Sequence, residues 1–203
     1  MIVSIVYDSG YGHTAKQAEA VAKGARQVSG AEVTLIPVSE KNIPWEALEK
    51  SDAIIFGSPT YNGLISARLK QFFEDSTRTA WTELKWRNKI AAGFSNSGAQ
   101  NGDKLNSLMS IALFAAQHGM IWVGLDLHPA DPNSTATTKN LNRLGSWLGA
   151  MAQSDNASPE ITPGGSDLKT AEYLGKRVAE ITSRLTNRSE KLPGSDSKAK
   201  QLV

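Results

Sequence analysis

Near the start of the chain, Ser9-Gly10-Tyr11-Gly12-His13-Thr14 brings two aliphatic hydroxyls, two glycines, a tyrosine and a histidine into one short turn between an apolar run and a helical pattern. Such a turn aims backbone N–H groups at the positive end of a helix dipole, which suits an anion, and Ser9 and Thr14 add hydroxyl donors. Alone, the cluster also reads as an ordinary glycine turn with Thr14 as N-cap. It lacks the lysine of Gly-x-x-x-x-Gly-Lys-Ser/Thr, and Ala15 stands where Gly-x-Gly-x-x-Gly has its third glycine, so a mononucleotide phosphate without a metal partner fits it better than ATP.

Two further segments could complete a site. Pro59-Thr60-Tyr61-Asn62-Gly63 follows the most apolar run in the chain, and its backbone can flank a planar ligand. Ser95-Asn96-Ser97-Gly98-Ala99-Gln100-Asn101-Gly102 follows the next apolar run and offers small hydrogen-bonding groups to a heteroaromatic edge. His118 stands at a helix end, where a histidine is often only a partner for the dipole. Trp81 and Trp86 lie in a polar, aromatic-rich segment and read as packing against a lid or another subunit, while Trp45, Trp122 and Trp147 read as core or interface residues. The three histidines and the carboxylates show no metal-ligand spacing, and Gly-x-Ser-x-Gly is absent, so neither a metal centre nor a serine hydrolase is expected.

The elements that must hold these segments follow from hydrophobic pattern. Ile2 to Tyr7 is a nearly continuous apolar run that suits a strand buried on both faces. Ala15, Ala18, Val21, Ala22, Ala25 and Val28 recur at helical spacing, with Gly30 just past the end. The alternation continues with a strand at Glu32 to Pro37, a short helix at Trp45 to Lys50, a strand at Ala53 to Gly57 and a helix at Ser66 to Glu74. A strand at Ile90 to Phe94, a helix at Leu105 to Gln117 and a fifth strand at Ile121 to Leu125 complete it. Five strands separated by helices predict a doubly wound parallel sheet, whose ligands bind beyond the carboxyl ends of the strands. Residues 126–165 read mainly as an insertion or lid with a short helical piece around Leu141 to Met151, Asp167 to Leu185 as the last helix, and 187–203 as a flexible tail after a domain of residues 1–186.

With 203 residues, 40% of them hydrophobic, the chain suits one domain. Lys and Arg number 22 against 20 Asp and Glu, so charge gives no support to nucleic-acid binding. Without cysteine, thiolate chemistry and cysteine-held iron–sulfur clusters are excluded for this chain, and redox chemistry would need a bound cofactor. No apolar run approaches the roughly 20 residues of a membrane span, and no basic leader opens the chain, so a cytoplasmic protein without membrane contact is expected.

Taken in order, Ser9-Gly10-Tyr11-Gly12-His13-Thr14, Pro59-Thr60-Tyr61-Asn62-Gly63, Ser95 to Gly102 and Gln117-His118-Gly119-Met120 resemble the motifs of the flavodoxin-like NAD(P)H:quinone oxidoreductases, the WrbA family. The likeness runs from about residue 1 to residue 185. It implies a three-layer flavodoxin-like fold with strand order 2-1-3-4-5 and helices on both faces. It further implies non-covalent FMN, its phosphate in the first segment and its ring between the second and third, with NADH or NADPH as donor and a quinone-like acceptor. His118 would act at the ring edge or substrate pocket, Tyr11 and Trp81 would border the substrate, and the subunits would form homodimers or homotetramers. Two other readings stay open: a flavodoxin-like electron carrier without a nicotinamide pocket, and a flavin-free binding module on the same fold.

Overall fold

The first strand, β1 (Ile2–Tyr7), buries Val3, Ser4, Ile5 and Val6 in the middle of a sheet. Both of its neighbours run parallel to it: β2 (Glu32–Pro37) on one side and β3 (Ala53–Tyr61) on the other. The computed structural model describes residues 1–40, 42–129 and 140–189. β4 (Leu64–Ile65) turns back antiparallel on Thr60 and Tyr61, β5 (Ile90–Ser97) lies parallel to β3, and β6 (Ile121–Trp122) lies parallel to β5. Strand order is β2-β1-β3-β5-β6, which is the expected 2-1-3-4-5 once the short β4 is set aside.

The sheet carries two elements that the sequence did not announce. One is β4; the other is β7 (Ala150–Gln153), which pairs in parallel with Phe94 to Ser97 of β5. The fifth strand, expected over Ile121 to Leu125, is therefore shared between two pieces. Val123 N still donates to Ala91 O of β5, but Leu125 N donates to Trp147 O, so the incoming segment takes the place beside the upper half of β5. Close approach makes this work: a Cβ on Gly149 would lie 2.1 Å from Gly93 O. The helical piece expected around Leu141 to Met151 does not form. Its first residues turn through left-handed Asn142 and Gly145, and Ala150 and Met151 join the sheet, where pairing overrides their helix propensity.

Helices cover both faces. α1 (His13–Ala25) and α5 (Gly165–Ser189) pack on the side of Val3, Ile5, Ala53 and Ile55. α2 (Trp45–Lys50), α3 (Ala67–Ser76) and α4 (Lys104–Gln117) cover the side of Val6, Ile54 and Phe56, with Phe72, Phe73, Trp86 and Phe114 forming an aromatic core. Trp86, read from sequence as an exposed packing residue, is thus fully inside. A π-helical turn, Thr77–Trp81, extends α3. The last helix runs past residue 186, the expected domain boundary, and the rest of the expected tail, residues 190–203, lies outside the described residues. No helix among the described residues is long and apolar enough to cross a membrane.

Candidate functional site

A cavity of about 440 Å3 opens beyond the carboxyl ends of β1, β3, β5 and β7. That volume lies within the range of roughly 300–1,000 Å3 typical of small-molecule sites. Its walls are Gly10, Tyr11, His13 and Thr14 from the first turn, Pro59 to Tyr61, Asn96 to Gly98, and Ser154 to Ala157 after β7. Three separated segments singled out from sequence therefore meet in space. The second and third begin as strand ends, Pro59 to Tyr61 of β3 and Ser95 to Ser97 of β5, because β4 pairs with Thr60 and Tyr61 and the β3–β5 register continues to Pro59 and Asn96.

The first turn is built as an anion cradle. α1 begins at His13, not at Thr14, and Gly12 precedes it with φ of +90°, a conformation that favours glycine. A Cβ there would also lie 2.9 Å from Pro159 Cγ. Gly12, not Thr14, is the cap residue, and the Ser9 hydroxyl accepts from Gly12 N and Ala15 N at 3.1 Å each. The N–H groups of His13 and Thr14, in the first helical turn, have no acceptor within their own helix, and no acidic residue stands in that turn. These are the donors a phosphate needs.

Beneath the cavity lies a bed of hydroxyls. Thr60 Oγ1 shares hydrogen bonds with Ser95 Oγ (2.8 Å) and Ser107 Oγ (2.7 Å), and Ser95 Oγ donates to Ser58 O (2.9 Å). Asn96 Nδ2 donates to Ser154 Oγ (2.8 Å), joining β5 to the segment after β7. That segment also closes on the first turn: His13 Nε2 donates to Ala157 O (2.8 Å), and Lys16 pairs with Glu160 (2.9 Å). Ser154 to Ala157 were missed from sequence because they lay in the presumed lid; the available signal was the short apolar run Ala150 to Ala152 ahead of a polar turn.

Three charged residues near the cavity were also missed: Asp8, Arg68 and Lys104. Asp8 is buried at the end of β1, accepts from Arg68 Nε at 2.8 Å, and leaves Oδ2 without a partner among the described residues. Arg68 and Asn62 form the far wall of a neighbouring hollow that shares Gly10, Tyr11, Thr60 and Tyr61 with the first. Burial and the nearby Asp8 carboxylate raise the Tyr61 phenol above its ordinary pKa, so it remains a hydrogen-bond donor. Lys104, fully buried at the start of α4, donates to Ser97 Oγ (2.7 Å), Ala99 O (3.0 Å) and Gln100 O (2.9 Å), and burial draws its pKa down to about 8.

The remaining candidates stand further off. Ser9, Gly12 and Ser95 back the cavity, whereas Gly63, Gln100 and Gly102 do not line it; the carbonyl of Gly63 accepts from Asn106 Nδ2 (2.8 Å) and Gln100 faces a hollow beside Arg143. His118 is not brought to the cavity. It ends α4 inside the aromatic core, stacked on Trp86 at 4.6 Å and edge-on to Phe114 at 4.5 Å, with Nε2 3.1 Å from Ser76 Oγ. Burial pushes its pKa down to about 4, so the ring is neutral at pH 7. Trp81 is half-exposed and donates to Gln117 O (3.1 Å), away from the cavity, while Tyr11 stands on the cavity rim with 77% of its surface exposed.

A parallel sheet in this order, with an acid-free helix N-terminus and two strand ends around one cavity, defines a flavodoxin-like mononucleotide-binding protein. The family model described as NADPH-dependent FMN reductase matches residues 45–126. Flavodoxin FldP of Pseudomonas aeruginosa is 42% identical over 185 residues (89% of this chain, 96% of that protein), and an NAD(P)H dehydrogenase (quinone) of Archaeoglobus fulgidus is 37% identical over 207 residues (90% and 98%). Among solved structures, a flavodoxin, WrbA-like protein from Agrobacterium tumefaciens superimposes with a TM-score of 0.70 at 39% identity, covering 90% of this chain and 98% of its own. The chain belongs to the WrbA-like family of flavodoxin-like NAD(P)H:quinone oxidoreductases.

Proposed function

We propose that this chain is an FMN-dependent oxidoreductase that takes reducing equivalents from NADH or NADPH and delivers them to a small quinone-like acceptor. The observation that carries this reading is the convergence of the Ser9–Thr14 cradle, Pro59–Tyr61 and Asn96–Gly98 on one cavity. FMN held there would supply the redox chemistry, the two-electron exchange between a nicotinamide hydride donor and the acceptor. The chain's own residues bind and orient. Ser9 holds the first turn open through Gly12 and Ala15, leaving the N–H groups of His13 and Thr14 for the phosphate. Pro59 to Tyr61 and Asn96 to Gly98 offer backbone to the ring, and Ser154 to Ala157 close the side nearest α1.

Substrate would enter where the cavity is least covered, past exposed Tyr11 and half-exposed Tyr61. Self-association into a homodimer or homotetramer is supported by an exposed apolar row on α4, Leu105, Met109 and Leu113. A carrier function is favoured by one observation, the relative named flavodoxin FldP. An anaerobic absorbance titration separates the two. Bleaching of bound FMN by NADPH or NADH, with recovery on benzoquinone, supports the reductase; binding without bleaching supports the carrier, and failure to bind FMN overturns both.

A further inference from the structure

The third cavity segment is closed from behind by a charge. Lys104 is fully buried, and all three acceptors of its Nζ, Ser97 Oγ, Ala99 O and Gln100 O, belong to the stretch 97–100. None of them is anionic. Asp167 of α5 is the carboxylate whose field reaches it, yet Asp167 is already taken by Arg143 through two hydrogen bonds of 2.7 Å each and by Gln153 N at 2.9 Å. On its own helix, Asp103 points its charge to an exposed position. The ammonium is thus held by neutral dipoles, an arrangement that costs desolvation without the return of an ion pair.

What lies across the clamped stretch offsets that cost. Ser97 and Gly98 are walls of the FMN cavity, so the charge sits one residue behind it. A hydride brings two electrons and one proton; the nicotinamide is left as its cation, and the flavin side becomes one negative charge richer. We propose that Lys104 is a positioning residue for the flavin: it clamps residues 97–100 into the shape of the cavity wall and places a positive charge behind it that favours the reduced cofactor over the oxidised one. This rests on the FMN reading above. The clamp also explains two residues that stand off the cavity. Gln100 acts through its carbonyl, and Gly102, at φ +56°, gives Ser97 room, since a Cβ there would lie 2.1 Å from Ser97 Oγ.

Lys104→Met keeps the apolar stem and removes the charge, and Lys104→Arg keeps the charge. The readouts are the dissociation constants of oxidised FMN, by fluorescence quenching, and of reduced FMN, from the dye-equilibrated midpoint potential, together with backbone amide exchange of residues 97–100 in the apoprotein. The Met variant is expected to weaken reduced FMN roughly tenfold more than oxidised FMN, to speed amide exchange, and to be largely rescued in the Arg variant. Equal weakening of both redox states marks a merely structural clamp and overturns the proposal. Should the Met variant not fold, the unaltered protein decides: its preference for reduced FMN, referred to free FMN at the same pH, must fall between about pH 7 and pH 9 as the ammonium loses its proton. A flat profile overturns the proposal. Absence of FMN binding by the unaltered protein overturns the cofactor reading and the proposal with it.

Discussion

Two buried titratable side chains, His118 and Lys104, reverse the roles their sequence positions imply. His118 belongs to a motif that resembles a substrate pocket, yet its ring is spent on Trp86, Phe114 and Ser76. Lys104 has no place in any motif, yet it touches the cavity wall. The reason is the same for both: which way a helix end faces depends on the layer it packs against, and that is not written in the residues beside it. The His118 placement has a pH consequence. Its folded pKa of about 4 lies below the ordinary 6.5, so between those values the unfolded chain takes up a proton that the folded chain refuses. Stability from this residue is therefore full above about pH 6.5 and falls as pH drops toward 4, by about 2 kcal/mol between pH 7 and pH 5. Denaturant unfolding of the unaltered protein and of His118→Phe measures it. The variant should lose less stability on acidification, and parallel losses would contradict the assignment.

Among the elements, α1 and α5 show how packing decides against propensity. Glycines 24 and 175 sit inside helices, where each costs about 1 kcal/mol relative to alanine. They are there because the helices touch backbone to backbone: a Cβ on Gly24 would lie 1.7 Å from Glu172 O, and one on Gly175 would lie 1.9 Å from Val21 O. Helix propensity alone predicts that Gly175→Ala stabilises the protein. The structure predicts a loss of about 2 kcal/mol, because the methyl forces two close helices apart, and thermal or chemical denaturation gives the sign. The strands carry the same lesson. Ile121 to Leu125 has the apolar character of a strand, but only Ile121 and Trp122 pair as one, since Leu125 gives its N–H to Trp147. Four of the parallel strands were legible from their apolar runs, whereas β7 was hidden by residues equally at home in a helix.

For the molecule as a whole, the cavity joins four segments far apart in the chain, so a ligand that fills it ties the sheet ends together. FMN at one hundred times its dissociation constant should raise unfolding free energy by about 2.7 kcal/mol. Riboflavin, which lacks the phosphate, should give a clearly smaller rise in melting temperature at the same concentration if the Ser9–Thr14 cradle is the anchor. Equal shifts would remove the phosphate from that cradle. The sequence by itself determined the alternation of strands and helices, the apolar strand cores and the three segments that follow strands, because these are properties of neighbours along the chain: period, turn chemistry and hydroxyl content. Only the tertiary structure decided that Ser154 to Ala157 complete the cavity, that Arg68, paired with Asp8, walls the neighbouring hollow, that Lys104 closes the cavity from behind and that His118 stays away. Each of these depends on a distant partner, such as Gly93 for Gly149 or Ala157 for His13, and contacts of that kind exist only once the layers have packed.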